Sequence, residues 1–339
     1  MYRGKTVGVV IPAYDEEDTV GEVIESVPSF VDRVYAVDDA STDDTWNEIL
    51  RSAGRMNESP AVTGHTQRYE NRVVTENHSE NRGVGGAIKT GYLRALEDEI
   101  DVVAVMAADG QMEPSALESI VDPVADGRAD YAKGNRLLRK ETRREVPKFR
   151  LFGNYILTYL TKVASGYWRI GDPQNGYSAI SRHALEEIDV EEMYEFYGYC
   201  NDLLVKLNAA NIVVADVPAP ILYEDETSHI NYSTYIPKVS LMLFRNFVWR
   251  LKKKYVLQKS HISTLLYGVS AFVLTLAVVR TERSRWTPVE SVVDFLVILL
   301  PLFLVLFEDK RANDHLAETV SVDGPDSRQE MSENGSSDP

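Results

Sequence analysis

The chain has 339 residues, 44% hydrophobic and 26% charged, with 36 basic against 52 acidic side chains and a formal net charge of −16. That apolar share is enough for a buried core, so a wholly disordered chain is excluded, and at ~150 residues per domain the length allows one large domain or two modest ones. The acidic balance argues against a nucleic-acid binder, because phosphate backbones are met by clustered Lys and Arg, and the lone Cys200 leaves neither an internal disulfide nor a Cys/His zinc cluster.

The first residues lead into only a strand's length of apolar side chains, which predicts a folded, cytosolic start without a signal peptide. From residue 6 to about 217, β-branched runs alternate with amphipathic stretches. Runs at 7–11, 34–37, 72–75, 102–106 and 212–215 predict strands, while 19–27, 44–55, 84–96 and 115–125 carry helical spacing. Such alternation predicts an α/β fold with a mostly parallel sheet covered on both faces, its ligands sitting beyond the carboxyl ends of the strands.

Polar clusters fall where those strands end. Pro12-Ala13-Tyr14-Asp15-Glu16-Glu17 follows the first and Asp38-Asp39-Ala40-Ser41-Thr42-Asp43-Asp44 the second. Asn81-Arg82-Gly83-Val84-Gly85-Gly86 comes after the third and Ala107-Ala108-Asp109-Gly110-Gln111 after the fourth. Together they describe one site assembled across the rim, although Ser41 or Asp43 also suits a helix cap and Gly85-Gly86 close packing. Neither a G-x-G-x-x-G turn after the first strand nor a G-x-x-x-x-G-K-[ST] loop is present, which disfavours hydride transfer and P-loop chemistry.

In order, these four clusters resemble the family 2 glycosyltransferases, and among them the dolichyl- or polyprenyl-phosphate hexose synthases and archaeal N-glycan hexosyltransferases, over roughly residues 5–255. The resemblance implies a GT-A (Rossmann-like) fold, an inverting transfer, a UDP- or GDP-hexose donor and Mg²⁺ or Mn²⁺. It places Pro12, Tyr14, Glu16, Lys89 and Ala108 in the nucleotide-sugar pocket, gives Asp38 the base or ribose, and lets Asp39 brace the turn. Relatives read D-x-D with a glutamine two residues on. Here Ala107 replaces the first carboxylate and leaves Asp109 and Gln111 as oxygen ligands, tolerable for a cation that needs few carboxylates. Arg136, in Gly134-Asn135-Arg136, is expected at the donor phosphates. Asp172-Pro173-Gln174-Asn175-Gly176-Tyr177 resembles the acceptor motif, with Ser178 where an arginine usually follows. A lipid phosphate acceptor needs no base; a sugar hydroxyl does, and Asp172 or Asp202 is then the expected proton acceptor.

Between 136 and 150 the charge inverts. Arg136, Arg139, Lys140, Arg143, Arg144, Lys148 and Arg150 face only Glu141 and Glu145, which suggests a grip on lipid and donor phosphates at Arg139, Arg143, Arg144 and Arg150. Residues 236–254 mix apolar, aromatic and basic side chains, as an interfacial helix does. Apolar runs at 262–279 and 292–307 predict a two-helix transmembrane hairpin and a multi-pass protein with a cytoplasmic catalytic domain. After 313 the composition is acidic, with Gly, Ser and Pro, as in a solvated tail. The expected division is therefore a GT-A domain at 1–231, an interfacial helix at 232–260, a hairpin at 261–308 and a disordered acidic tail at 309–339. The resemblance, with the acidic composition, implies hexose transfer to a dolichol- or polyprenyl-linked acceptor in haloarchaeal cell-surface (S-layer) protein N-glycosylation. The alternatives are a dolichyl-phosphate hexose synthase and, motivated by Ala107, a catalytically silent glycolipid-binding protein.

Overall fold

A computed structural model describes residues 1–58, 69–136, 138, 148–219, 232–257 and 303–320. In chain order the elements are β1 (Val7–Ala13), α1 (Val20–Ser26), β2 (Arg33–Asp38), α2 (Thr45–Glu58), β3 (Val73–Asn77), α3 (Val84–Glu97), β4 (Val102–Val105) and α4 (Leu117–Ala125). There follow β5 (Tyr131–Asn135), α5 (Lys148–Ser165), β6 (Ser178–Ser181), α6 (Arg182–Glu187), α7 (Tyr199–Ala209), β7 (Val214–Pro218), α8 (Tyr232–Leu251) and β8 (Ala317–Thr319).

The strands form one sheet in the order β3-β2-β1-β4-β6-β5-β7-β8. All pairings are parallel except those of β6, which runs against both β4 and β5. The mostly parallel α/β expectation is met. Every residue of β1 is buried, because both faces of a parallel strand are covered. Val7, Val9 and Ile11 pack with α1, α2 and α4, while Val10 joins Tyr35 and Val37 against α3, α6 and α7, the two-residue alternation that splits one strand between two cores. A smaller cluster of Ala164, Val205, Val239 and Leu243 stacks α5, α7 and α8 outside the second face.

Two expectations at the carboxyl end are corrected. The multi-pass membrane placement fails because no helix among the described residues is long and apolar enough to cross a membrane. Most of the two apolar runs lies outside the described residues, and what is described of the second, 303–307, belongs to a helical stretch that continues to 313. That stretch is tied into the protein. Asp309 and Arg250, both buried, form a two-pronged ion pair at 2.9 Å on each side, and the Tyr255 hydroxyl donates to Asp309 Oδ1 at 2.6 Å. The acidic tail, expected from 309 onward, is ordered through 320: β8 pairs in parallel with β7 and becomes the edge strand on that side of the sheet.

Candidate active site

A cavity of about 380 Å³ opens beyond the carboxyl ends of β1, β2 and β4. Pro12, Tyr14, Glu16, Asp39, Ala108 and Asp109 line it, joined by Asn81, Phe196 and Tyr197. Hydrogen bonds lock its walls. The Glu16 N–H donates to Thr45 Oγ1 at 2.7 Å, tying the turn after β1 to α2, and the Thr19 hydroxyl donates to the Ala108 carbonyl at 2.7 Å, tying it to the turn after β4. Tyr14 stands half-exposed at the mouth, where the charge of Asp15 pushes its phenol pKa up.

The two aspartates at the end of β2 stand the other way round from the expected placement. Asp38, the last strand residue, accepts the hydroxyl and N–H of Ser41 and braces the turn, and it does not line the cavity. Asp39 does line it, since consecutive side chains leave a strand on opposite sides. Its Oδ1 accepts the Arg82 N–H at 2.9 Å and lies 2.7 Å from His78 Nδ1, while His78 Nε2 reaches Thr90 Oγ1 at 2.8 Å. His78, unnoticed in the sequence, thus anchors Asp39 from behind. A histidine just past β3 was the available signal. Asp43 does act as a cap, taking both the N–H and the hydroxyl of Thr45 at the start of α2.

Asp109 and Gln111 sit on the turn after β4, with the Gln111 N–H donating to Asp109 Oδ1 at 3.0 Å and Gly110 at a φ of +72°. Their carboxylate and amide oxygens suit a hard cation completed by phosphate oxygens and water. Among the described residues no group of three or more His, Cys, Asp or Glu side chains is placed to hold a metal.

The glycine cluster has a reason other than phosphate cradling. The backbone of residues 194–195 crosses the start of α3 so closely that a Cβ on Gly85 would lie 2.3 Å from the Tyr194 carbonyl oxygen, and one on Gly83 would lie 2.7 Å from that of Glu195. The Gly86 N–H donates to the Glu195 carbonyl at 3.0 Å, so this loop fills the helix N-terminus itself. Lys89, expected against the nucleotide, serves the same clasp: it donates to the Glu191 carbonyl at 3.0 Å and pairs with the Glu195 carboxylate, which also meets Arg82 at 2.9 Å. The clasped loop continues into Phe196 and Tyr197 of the cavity wall.

Arg136 and Asp172 do come together. The guanidinium donates through Nε at 2.6 Å and Nη2 at 2.7 Å to the two carboxylate oxygens, and the Arg136 N–H adds a third bond at 3.1 Å. Burial pushes the Asp172 carboxyl up, but Arg136 outweighs it and holds the pKa below the usual range. Behind them Lys133 and Asp216 form a buried pair at 3.3 Å. Lys133 donates to the Gly171 carbonyl at 2.8 Å and Asp216 accepts the Gly171 N–H at 2.7 Å, which fixes the residue before Asp172. Asp172 itself has a φ of +41°, a backbone setting that needs such support. Asp202 stands elsewhere, outside the residues lining this cavity. It accepts the Tyr194 N–H at 3.0 Å and the Asn246 amide at 2.7 Å, and burial pushes its pKa up. Arg139, Arg143 and Arg144 lie outside the described residues, as does the side chain of Arg150.

A profile described as glycosyl transferase family 2 matches residues 8–189. The UDP-N-acetylglucosamine–dolichyl-phosphate N-acetylglucosaminyltransferase of Methanococcus voltae is 27% identical over 222 residues, 65% of this chain and 87% of that one. Glycosyltransferase AglD of Haloferax volcanii is 27% identical over 226 residues, 63% of this chain and 33% of its own length. Crystalline glucosyl-3-phosphoglycerate synthase from Mycobacterium tuberculosis, in complex with uridine diphosphate, matches with a TM-score of 0.49 at 20% identity, over 73% of this chain and 80% of that one.

Proposed function

The chain belongs to glycosyl transferase family 2 and is a glycosyltransferase, and from that premise we propose that it moves a hexose or N-acetylhexosamine from a nucleoside-diphosphate sugar to a dolichyl- or polyprenyl-phosphate-linked acceptor. The observation that carries the reading is the single cavity into which both Asp39 and Asp109 open. Asp39, held by His78 and the Arg82 N–H, meets the N–H edge of the nucleobase, and Tyr14 forms the wall beside it. Asp109 and Gln111 would hold Mg²⁺ or Mn²⁺, and the ion when bound would supply positive charge to neutralise the leaving group. Arg136, held on Asp172, is the residue we assign to add a second positive charge where the leaving group develops its own.

Both carboxylate oxygens of Asp172 already accept from Arg136, which leaves it poorly placed to take a proton from an acceptor hydroxyl. This favours an acceptor that arrives ionised, the lipid phosphate itself, over a sugar hydroxyl. The name of the Methanococcus relative, with its dolichyl-phosphate acceptor, supports the same choice. Work on the acceptor saccharide of a cell-surface N-glycan remains the second reading, favoured by Ser178: it is buried in β6, and its hydroxyl donates to the Gly176 carbonyl where an arginine would have held a phosphate. The test is transfer by the purified full chain, with Mn²⁺ and a short polyprenyl phosphate, from UDP-glucose, UDP-N-acetylglucosamine and GDP-mannose in parallel. One donor is expected to yield a lipid-phosphate sugar and Asp109→Ala to abolish it. Absence of transfer from all of them, with lipid binding retained, would replace the reading with a silent glycolipid-binding protein.

A further inference from the structure

The loop that brings Phe196 and Tyr197 into the donor cavity has two very different sides. In front, its backbone at 194–195 rests on the start of α3 with no room for a Cβ, and the Glu195 carboxylate reaches Arg82, whose own N–H donates to Asp39. Behind the loop lies open space. A second cavity, of about 540 Å³, separates it from α7 and α8, with Tyr194, Asp202, Met242 and Asn246 among the lining residues. Phe196 is 53% exposed and Tyr197 60%, so their place is set by the backbone that carries them rather than by side-chain packing. A segment with so little packed behind it falls back unless a bond holds it.

Asp202 supplies that bond. It stands in the first turn of α7, where a side chain leans toward the helix N-terminus, and its Oδ2 accepts the Tyr194 N–H at 3.0 Å. Its Oδ1 accepts the Asn246 amide of α8 at 2.7 Å, while Lys206, one turn further along α7, lies 4.0 Å from Oδ2 and balances the charge. A carboxylate that only complements the helix dipole works as well in solvent. Asp202 is buried instead, at a desolvation cost that these partners offset. The pairing also demands a carboxylate, because an asparagine has one oxygen and would turn its amide toward one of the two donors. We infer that Asp202 is a positioning residue for the nucleotide sugar: it ties one wall of the donor cavity to α8 and thereby sets how far Phe196 and Tyr197 reach toward the donor. This rests on the proposed nucleotide-sugar pocket and names the residue that braces it from behind.

The experiment starts with calorimetry of UDP and GDP on the full chain, and the tighter of the two becomes the probe. Asp202→Asn is expected to weaken it about tenfold, as befits one lost hydrogen bond to a charged group, and Asn246→Ala, at a half-buried position where folding is not at issue, about threefold. The double variant Asp202→Asn/Asn246→Asp puts the amide on α7 and the carboxylate on α8. Both hydrogen bonds then form again at unchanged net charge, and affinity should return to within about twofold. Urea unfolding of each variant separates these effects from stability. Unchanged affinity in Asp202→Asn and Asn246→Ala, whatever their unfolding midpoints, would make Asp202 a structural residue and overturn the inference, as would a double variant that binds as weakly as Asp202→Asn. An unaltered chain that binds neither nucleotide would instead refute the nucleotide-sugar reading, and the inference with it.

Discussion

Gly85→Ala tests the idea that the glycine cluster exists to seat a loop. The added methyl would stand 2.3 Å from the Tyr194 carbonyl oxygen and 2.8 Å from that of Glu195, both backbone atoms that no rotamer change can move aside. An ordinary contact begins at about 3.5 Å, so the loop must retreat by roughly 1 Å. Overpacking of this kind costs about 1–3 kcal/mol, and the better helix propensity of alanine returns up to about 1, which leaves a net loss of about 0–3 kcal/mol. The functional loss is separate, because the loop carries Phe196 and Tyr197 into the donor cavity. A 1 Å displacement there is expected to weaken nucleotide binding about tenfold, roughly 1.4 kcal/mol. Urea unfolding reads the first quantity and calorimetry with UDP the second. Gly91→Ala is the control, since its methyl would meet the Val10 side chain at 2.4 Å inside the core, away from the loop. It should destabilise comparably and leave nucleotide affinity alone. If Gly85→Ala binds UDP as the unaltered chain does, or if Gly91→Ala weakens binding as much, the clasp has no functional part.

His78→Ala removes one of the two donors that hold Asp39 Oδ1 and is expected to weaken UDP binding about three- to tenfold, an effect of about 0.5–1.5 kcal/mol, with KM for the donor rising more than kcat falls in steady-state kinetics. Arg250→Met strands the buried Asp309 carboxylate and should cost about 3–5 kcal/mol in chemical denaturation, whereas Arg250→Met/Asp309→Leu should recover most of it; a double variant as unstable as the single one would contradict this. Burial, with Arg250 nearby, pushes the Lys254 ammonium down to about 8. Between that value and its unfolded pKa of ~10.4 the unfolded chain binds more protons, so this group makes stability rise with pH across the interval and leaves it flat below about 8. Denaturation midpoints from pH 7 to 10, compared with Lys254→Met, read the slope, and an identical profile in both proteins would refute it.

Much of the architecture was legible because it is written in short-range patterns. The first four strands and their polar ends follow from β-branched runs broken by Pro12, Asp38, Asn81 and Asp109, and each lies within a residue or two of its expected place. β6 was not legible: Ser178–Ser181 is four residues long and has no β-branched run beyond Ile180. Which of Asp38 and Asp39 faces the cavity was not legible, because the side each residue faces depends on where β2 stops. Lys89 and the glycines were read locally, and their true neighbour, the loop at 191–195, is about a hundred residues away in sequence. Arg136 and Asp172 were singled out separately; their mutual bonding depends on the buried Lys133–Asp216 pair, for which composition gives no hint. The tail misled through its average charge, since Asp309 and Asn313 are buried by specific partners rather than by hydrophobicity.

The knot of Arg250, Lys254, Tyr255, Asp309 and Asn313 also decides something about the chain between its two halves. Lys254 Nζ donates to Asn313 Oδ1 at 2.6 Å and the Tyr255 hydroxyl to Asp309 Oδ1 at 2.6 Å, so the residues just past α8 and the stretch at 309–313 meet at one point. Two stretches more than fifty residues apart in sequence are thereby tied together, which closes the chain between them into a loop. Lengthening such a closed segment costs little, about 0.6 kcal/mol for each doubling. The length of that loop can thus change without redesigning the sheet, and an engineer could splice a short linker there and ask the enzyme to fold around the same knot.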